Sequence, residues 1–342
     1  MRSADCDGAN AYNPILLSLL EPGADELNPG WACLIVSGQV LPSGADAVLP
    51  FEAAQPVHPR SLEVLAPVAP GTGIGAASPS SVLEHGRKIG PLEIGLLAAG
   101  GIQRVAVATR PRVALVVPGP KSGPDTLTPM LRALLARDGA LVEPIATSGD
   151  AEAALTAALT GGRITNCTLV LIAGRAGTGP DDVAAPALKA AGGTLAYHGL
   201  ALHPGGVSGL GHLLGPGTIP VVLLPGEPLA CLVAYDMLAS RLVRRLAGAE
   251  TISPWRAVEF ELARKIASGL GVTEIVPVTL DGGRAVPIGV EGGLAGAICA
   301  DGFVVVPGPS EGHPAGGRVV VHLYDTGTAF PFSSWPHQGP GD

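Results

Sequence analysis

Three glycine-rich loops carry the polar residues whose types and spacing could do chemistry. The first loop, AGRAGTGPDD at 173–182, combines glycines that allow close backbone approach with the Thr178 hydroxyl and two acids, Asp181 and Asp182. Because these acids open the next predicted helix, the backbone amides there suit a phosphate or another oxyanion. A plainer interpretation, which the spacing alone favours, is that Asp181 or Asp182 only caps that helix.

The other two loops add histidines and a glutamate. LHPGGVSGLGH at 202–212 contains His203 and His212, but no second ligand stands at metal-site spacing, which disfavours a metal role. LPGEPLAC at 224–231 has the order strand, turn and helix start. Glycine-rich strand ends are common, so each loop alone is a weak indication of a site.

From residue 110 onward, buried strands alternate with helices. This alternation predicts a three-layer α/β/α domain at 110–249, a parallel sheet with helices on both faces. The predicted strands lie at 113–117, 140–146, 168–174, 193–200 and 221–226, and the predicted helices at 125–138, 150–161, 181–192 and 228–248. In such sheets ligands bind beyond the carboxyl ends of the strands, so chemistry is expected in the loops after Val117, Ile172 and Leu224.

The flanking regions have a different pattern. Residues 1–109 predict a β-rich region, with short strands in WACLIVSG, ADAVLPFE and LEVLAPVAPG and one helix at 91–100. Residues 250–326 predict a small all-β domain with strands in EIVPVTL, FVVVPG and RVVVHLY. The tail at 327–342 is rich in Pro, Gly and Ser and is expected to be loosely ordered. The fold class is therefore α/β multidomain.

Composition narrows the class of partner. The net charge is −8, with no basic cluster beyond Arg241–Arg245, which argues against nucleic acid as the main partner. Five cysteines, odd in number and far apart, indicate neither a disulfide framework nor a zinc knuckle and fit a reducing compartment. The sequence shows no run of 18 apolar residues and no signal-peptide pattern, so a soluble cytoplasmic protein without a membrane partner is expected.

One segment resembles a known family. SGQVLPSGADAVLPFE at 37–52 is similar to the T-G-A-x-L-P-x-G-A-D-A-V-V-x-x-E signature of the molybdopterin molybdenumtransferases, which include the MoeA proteins and the E domain of gephyrin. The resemblance covers nearly the whole chain in order, through VAPG, PLEIGLLAAGGI, RPRVALV, the three glycine-rich loops, ARKIASG and ADGFVVVPGPSEGHPAGGRVVV. DGANA at 7–11 resembles the family's D-G-Y-A-V, so we expect a member whose N-terminal portion is shortened.

The resemblance implies a function and a site. The family forms homodimers and inserts molybdate into adenylylated molybdopterin with Mg²⁺ present. It implies Asp7, Asp125 and Asp182 as catalytic groups, Asp125 and Asp182 as Mg²⁺ ligands, and Asp7 near the loops of the partner subunit. The cofactor-binding residues that it implies are Gly174, Arg175, Gly177, Thr178, Gly179, His203, Pro204, Gly205, Gly206, Pro225, Gly226, Glu227 and Pro228.

Several positions depart from the family pattern. Pro120 and Lys121 replace two acids of S-T-G-D-E-L, and Arg175 replaces a glycine of S-G-G-V-S-x-G. HPGGV lacks both lysines of K-P-G-K-P, and Glu227 brings an acid into P-G-N-P. Fewer cations weaken an anion site. Two functions stay open: an enzyme that inserts molybdenum, and a non-catalytic cofactor-binding chaperone or scaffold for a client molybdoenzyme. A scaffold without a pterin site is a third.

Overall fold

The chain divides into two compact units, Met1–Glu84 with Pro91–Gln103, and His85–Gly90 with Arg104–Asp342. The computed structural model describes residues 1–21, 23–36, 39–74, 83–118, 123–147, 152–215, 217–249, 253–289 and 293–324. The tail predicted at 327–342 lies outside the described residues. Each unit has its own hydrophobic core. The domain boundaries at 109/110, 249/250 and 326/327 stay predictions.

The first unit is built on a four-stranded sheet with the order β2-β1-β4-β3. Strands β1 and β2 are parallel and the other pairs are antiparallel. Leu17 and Leu62 pair across β1 and β4 and are buried with Cys6 on one face. The elements are a 3₁₀ turn Ser3–Cys6, β1 Ile15–Leu20, β2 Trp31–Cys33, a 3₁₀ turn Phe51–Ala53, β3 Ala54–His58, β4 Ser61–Val64 and α1 Pro91–Ala99. The predicted helix at 91–100 is confirmed.

The strand expected in ADAVLPFE at 45–52 is wrong. Its backbone amides bond elsewhere: those of Asp46 and Ala47 donate to the Met1 carbonyl, and that of Val48 donates to the Thr72 carbonyl. The Asp46 carboxylate accepts the Ser3 amide and hydroxyl at 2.5 and 2.9 Å. These bonds lie between separate loop segments, so this apolar run joins no strand ladder.

The second unit begins with a six-stranded sheet of order β6-β5-β7-β11-β10-β8. Its strands are β5 Arg112–Val116, β6 Leu141–Ile145, β7 Leu169–Ala173, β8 Thr194–His198, β10 Gly209–Leu214 and β11 Thr218–Leu224. Strands β6, β5, β7 and β11 are parallel, as the alternating pattern predicts.

Helices cover both faces of this sheet. They are α2 Leu127–Arg137, α3 Glu152–Thr160, α4 Ala184–Ala190, α5 Pro228–Ala234 and α6 Ser240–Leu246, and a π-helical turn Tyr235–Ala239 joins the last two. Successive strand residues such as Leu171 and Ile172 are fully buried in two different clusters. One cluster includes Leu188 of α4 and the other Leu131 of α2, which makes the three layers of the predicted fold.

The sheet is mixed rather than wholly parallel. Residues 202–212, expected to be a loop, contain the two-residue strand β9 Leu202–His203 and the first four residues of β10, which runs antiparallel to β11 and β8. A Cβ on Gly209 would lie 3.1 Å from the Tyr197 carbonyl oxygen, and a Cβ on Gly211 would overlap the Thr194 carbonyl oxygen. The glycines therefore permit close strand approach here, although their number favours a loop in the sequence.

The second unit ends in a small β-barrel. Strands β12 Arg256–Leu262, β18 Arg318–Leu323, β16 Gly302–Val306, β14 Thr273–Asp281 and β15 Arg284–Pro287 pair in that order, and β15 closes the circuit by pairing with β12 and β14. The short pair β13 Ile266–Ala267 and β17 Gly312–His313 and the helix α7 Gly293–Ile298 complete it. Strand β9 adds to β14 in parallel. The predicted strands in this region are confirmed.

A cluster of apolar side chains joins the barrel to the helix that follows β11. Leu202, Leu229 and Val233 are buried against Ile275 of β14 and Phe303 of β16.

None of the helices in the described residues has both the length and the apolar character needed to span a membrane.

A buried ion-pair network joins α2 to the π-helical turn. The Arg137 guanidinium donates to Asp138 at 2.9 Å and to Asp236 at 2.7 Å, and these two carboxylates are 0% and 4% exposed. The Tyr235 hydroxyl donates to Asp138 at 2.9 Å, and the Trp255 ring lies 4.7 Å from the guanidinium. The wider π turn directs both Tyr235 and Asp236 into the interior.

Asp236 should make stability depend on pH. Burial raises the pKa of its carboxyl to about 6, although Arg137 opposes that shift. The folded protein therefore holds this proton more tightly than the unfolded chain. The protonated carboxyl stabilises the folded state, and this contribution is lost as the pH rises through about 6. Between about pH 4.5 and about pH 7.5 the wild type should lose about 2 kcal/mol more of its free energy of unfolding than Asp236→Asn. Urea unfolding of both at the two pH values checks this, and a constant difference contradicts it.

Candidate functional site

A cavity of about 430 Å³ opens beyond the carboxyl ends of β5, β7 and β11. This is the edge at which the sequence places chemistry. Its described lining consists of Val117, Pro118, Pro124, Asp125, Thr126, Leu127, Gly174, Arg175, Ala176, Gly177, Asp181, Asp182, Val207 and Gly226. Residues from all three glycine-rich loops therefore converge on it. Pro120 and Lys121 lie outside the described residues.

The loops after β7 and β11 meet through two glycines. The Gly174 amide donates to the Leu224 carbonyl at 3.0 Å. A Cβ on Gly226 would lie 3.4 Å from the Gly174 Cα and 3.7 Å from the Arg175 nitrogen. Glycine at both positions lets the two backbones approach this closely.

Arg175 has an unusual backbone conformation. Its φ is +52°, and among the described residues it is the one non-glycine with positive φ. Glycine, which the family pattern has here, adopts that conformation freely, whereas another residue pays about 1 kcal/mol or more. The Arg175 carbonyl accepts the Ala184 amide at 3.0 Å, and its guanidinium donates to the Asp181 carbonyl at 3.3 Å. The strained residue thus places a guanidinium at the cavity.

Asp182 folds back onto its own loop. Its Oδ2 accepts the Gly179 amide at 2.9 Å. The helix α4 has Val183 at its N-cap, without a side-chain cap, so the capping interpretation of the two acids does not hold at that position. Asp182 therefore stabilises the 177–179 turn from the cavity side.

Gly177→Ala tests this arrangement. An added Cβ would lie 2.5 Å from the Asp182 Oδ2, so the carboxylate must move and release the Gly179 amide. We expect a loss of about 1–2 kcal/mol in the free energy of unfolding, and almost none when Asp182 is already alanine. Gly162→Ala, where a Cβ meets nothing within 4 Å, is the matched control. Urea unfolding of Gly177→Ala, Asp182→Ala, the double variant and Gly162→Ala measures the coupling between Gly177 and Asp182. Additive effects of the two single changes would contradict the prediction.

Two other acids accept backbone amides at helix starts. The Asp125 Oδ1 accepts the amides of Leu127 and Thr128 at 3.1 and 3.0 Å, at the start of α2. Partial burial opposes ionisation of Asp125, but hydrogen bonds from Thr128 and Leu127 outweigh it and hold the pKa below its usual value. Glu227 accepts the amides of Leu229 and Ala230 at 3.0 and 2.6 Å, at the start of α5. The amides that an anion would use at α5 are therefore occupied by the chain itself.

The HPGG segment lies beside the cavity rather than in its described lining. His203 pairs with Glu274 in the barrel, its Nδ1 3.6 Å from the glutamate Oε1. Gly205 is buried, and a Cβ there would lie 3.2 Å from the Leu202 side chain and 3.5 Å from the Ala230 carbonyl. The loop reaches the cavity through Val207, which the sequence analysis missed.

Part of the predicted set of site residues lines the cavity. It brings together Asp125, Asp182, Gly174, Arg175, Gly177 and Gly226. Its described lining does not include Thr178, Gly179, His203, Pro204, Gly205, Gly206, Pro225, Glu227 and Pro228, which lie in the same loops. The apolar wall of Val117, Leu127 and Val207 carries no sequence signal of function, because such residues are common in cores.

Asp7 lies in the first unit. It is exposed and lines a separate depression with Ser3, Ala4 and residues 67–70, which include the first three residues of the VAPG motif. Its expected approach to a partner subunit stays a prediction.

The residues fit magnesium poorly. In the described part of the chain no group of three or more His, Cys, Asp or Glu side chains is placed to hold a metal ion. Asp125 and Asp182 each already accept backbone hydrogen bonds, whereas Mg²⁺ prefers octahedral oxygen coordination. The Mg²⁺ site stays a prediction, and no chemical step is derived through it.

The cavity suits an amphipathic anion. Its described lining carries one guanidinium and three carboxylates beside an apolar wall. An anionic group would need Arg175 and backbone amides of residues 176–178, because the Gly174 and Gly179 amides already donate within the chain. A flat ring system would lie on the wall.

Comparisons with known proteins identify the family. The family described as "Probable molybdopterin binding domain" matches residues 109–245, and "MoeA N-terminal region (domain I and II)" matches residues 1–101. Molybdopterin molybdenumtransferase 2 of Mycobacterium tuberculosis is 30% identical over 275 residues, 72% of this chain and 67% of that protein. Molybdopterin molybdenumtransferase of Staphylococcus aureus is 24% identical, covering 96% of this chain and 84% of that protein.

The fold agrees with that assignment. A molybdopterin biosynthesis MoeA protein from Pyrococcus horikoshii OT3 superposes with a TM-score of 0.66 at 23% identity, over 95% of this chain and 85% of that one. A second structure from the same species gives 0.61 at 27% identity, over 94% and 85%. The chain belongs to the MoeA family of molybdopterin molybdenumtransferases, proteins of molybdenum cofactor biosynthesis.

Proposed function

We propose that this chain binds molybdopterin, delivered as the adenylylated species, in the cavity beyond β5, β7 and β11. The observation that carries the proposal is the convergence of the loops after β7 and β11 around a cavity bearing Arg175. The pterin phosphate would pair with the guanidinium and the turn amides, since charge-assisted hydrogen bonds are the strongest that a protein offers an anion. The ring system would lie on Val117, Leu127 and Val207.

Molybdate insertion into that bound pterin is the first of two candidate outcomes. Asp125 and Asp182 are two of the three described carboxylates at the cavity, and we propose them for this step together with Asp7 of the partner subunit. Molybdate would be a substrate of this candidate.

The second candidate is a protein that holds the cofactor for a client molybdoenzyme without inserting the metal. The engagement of Asp125 and Glu227 with helix amides favours it, because those groups are already used for structure. The altered acids at Pro120 and Lys121 favour it too.

A single experiment separates the candidates. The purified protein is mixed with adenylylated molybdopterin, molybdate and Mg²⁺, and the pterin that co-elutes in gel filtration is quantified. Transfer of the product to a cofactor-free molybdoenzyme then reports insertion. Bound pterin with restored activity supports insertion, and bound pterin without it supports the holding function. Absence of bound pterin would reject the proposal.

We also propose a homodimer. Helix α1 exposes Leu92 at 85% and Ile94 at 59%, and a second copy that covered them would remove apolar surface from water. Isologous contacts between two copies are the commonest oligomer geometry. Sedimentation of the full chain at micromolar concentration tests this, and a monomer would contradict it.

A further inference from the structure

A histidine on the edge strand of the large sheet contacts the glycine-rich loop. His198 is the last residue of β8, and its Nε2 lies 2.7 Å from the Ala176 carbonyl oxygen. Ala176 is 2% exposed and lines the cavity. Because a carbonyl oxygen only accepts, Nε2 must carry the proton of this bond.

This bond fixes more than one atom of the loop. The Ala176 carbonyl and the Gly177 N–H belong to one planar peptide and point in opposite directions. A carbonyl held towards β8 therefore keeps the Gly177 N–H directed away from β8.

The preceding peptide is fixed from another side. The Arg175 carbonyl accepts the Ala184 amide at the start of α4, at 3.0 Å. Two successive carbonyls are thus held by two different elements, β8 and α4. Both constraints lie directly on the C-terminal side of Arg175, the residue whose φ is +52°, and such conformations persist only where the surroundings enforce them.

We propose that His198 is a positioning residue of the cavity. By donating from Nε2 to the Ala176 carbonyl, it holds the Gly177 amide and the Arg175 backbone in the conformation that receives the anionic group of the ligand. The ligand-binding part of this inference rests on the proposed function, whereas the loop-ordering part does not.

The first measurement uses the ligand-free full chain. In hydrogen exchange, His198→Phe should make the amides of residues 174–179 exchange about 10-fold faster, because the loop opens more often. His198→Gln retains an N–H donor and should restore most of the protection. His212→Phe, the same substitution on the neighbouring strand β10, should leave the loop unchanged. If the phenylalanine ring prevents folding, His198→Leu makes the same test.

The second measurement is molybdopterin affinity. We expect about 10-fold weaker binding in His198→Phe and near wild-type binding in His198→Gln, since one positioned donor separates them. Unchanged exchange in His198→Phe, or equal defects in the Phe and Gln variants, would overturn the inference. So would faster exchange with unchanged affinity. If the wild type fails to bind molybdopterin, the proposed function is rejected, while the exchange data still decide whether His198 orders the loop.

Discussion

Replacing Arg175 by alanine is expected to weaken molybdopterin binding about 10- to 100-fold, because a hydrogen bond to a charged group contributes about 1.5–3 kcal/mol. The described cavity lining carries one cation among three carboxylates, so removal of the guanidinium leaves an acidic site for an anionic ligand. Asp182→Ala should have a modest effect, because it removes negative charge while loosening the turn. Equilibrium titration of the pterin with each purified variant measures the difference.

Two further variants separate charge from backbone strain. Arg175→Gly also removes the cation, but glycine adopts the positive φ without strain. It should bind the pterin as weakly as Arg175→Ala and unfold at a higher urea concentration than Arg175→Ala. Lys189→Ala removes an exposed cation at the end of α4 and should bind normally. Normal binding by Arg175→Ala would reject this role. If the wild type rescues cells that lack a molybdenum insertase and Asp182→Ala abolishes the rescue, the protein is a working enzyme and our interpretation of the altered acids is wrong.

Arg137→Leu should cost about 3–5 kcal/mol of the free energy of unfolding, the loss seen when one partner of a buried ion pair is removed. Asp138 and Asp236 would remain buried without the guanidinium that lies between them. Arg163→Leu is the matched control. The Arg163 side chain, which pairs with Glu143, is 62% exposed, and exposed ion pairs contribute about 0–1 kcal/mol.

Urea unfolding followed by far-UV circular dichroism compares the two arginine variants. Equal losses in Arg137→Leu and Arg163→Leu would show that burial of the network does not matter. A double variant that also replaces Asp236 by asparagine should lose less than the sum of the two single changes, because the pair shares one interaction.

The parallel part of the fold is predictable because its signals are local. Strands such as Leu169–Ala173 are unbroken apolar runs, and α2 has an apolar stripe and an acid just before its first turn. Signals that depend on distant partners mislead. The run at 45–52 is apolar, yet its amides bond to Met1 and Thr72, and β10 is punctuated by glycines that only its neighbours explain.

The candidate site is predictable to the level of loops. Glycines after two predicted strands indicate where Gly174 and Gly226 lie, since strand ends meet at one edge of a sheet. Which atoms of the acids are already used is not visible in the sequence. Whether Asp182 caps a helix or binds the Gly179 amide depends on where α4 begins, and helix starts shift by a few residues. His198 is missed because its partner, Ala176, is a backbone carbonyl.

The pairing of β9 with β14 has a consequence for how the second unit melts. A fragment that ends at the predicted boundary, residue 249, would lose β14 and so leave the backbone edge of β9 unpaired. It would also lack Ile275 and Phe303, which cover Leu202, Leu229 and Val233, so an aggregation-prone apolar surface would be exposed. The sheet and the barrel should therefore share one calorimetric transition, and cutting between them should yield an aggregating product rather than two autonomous domains.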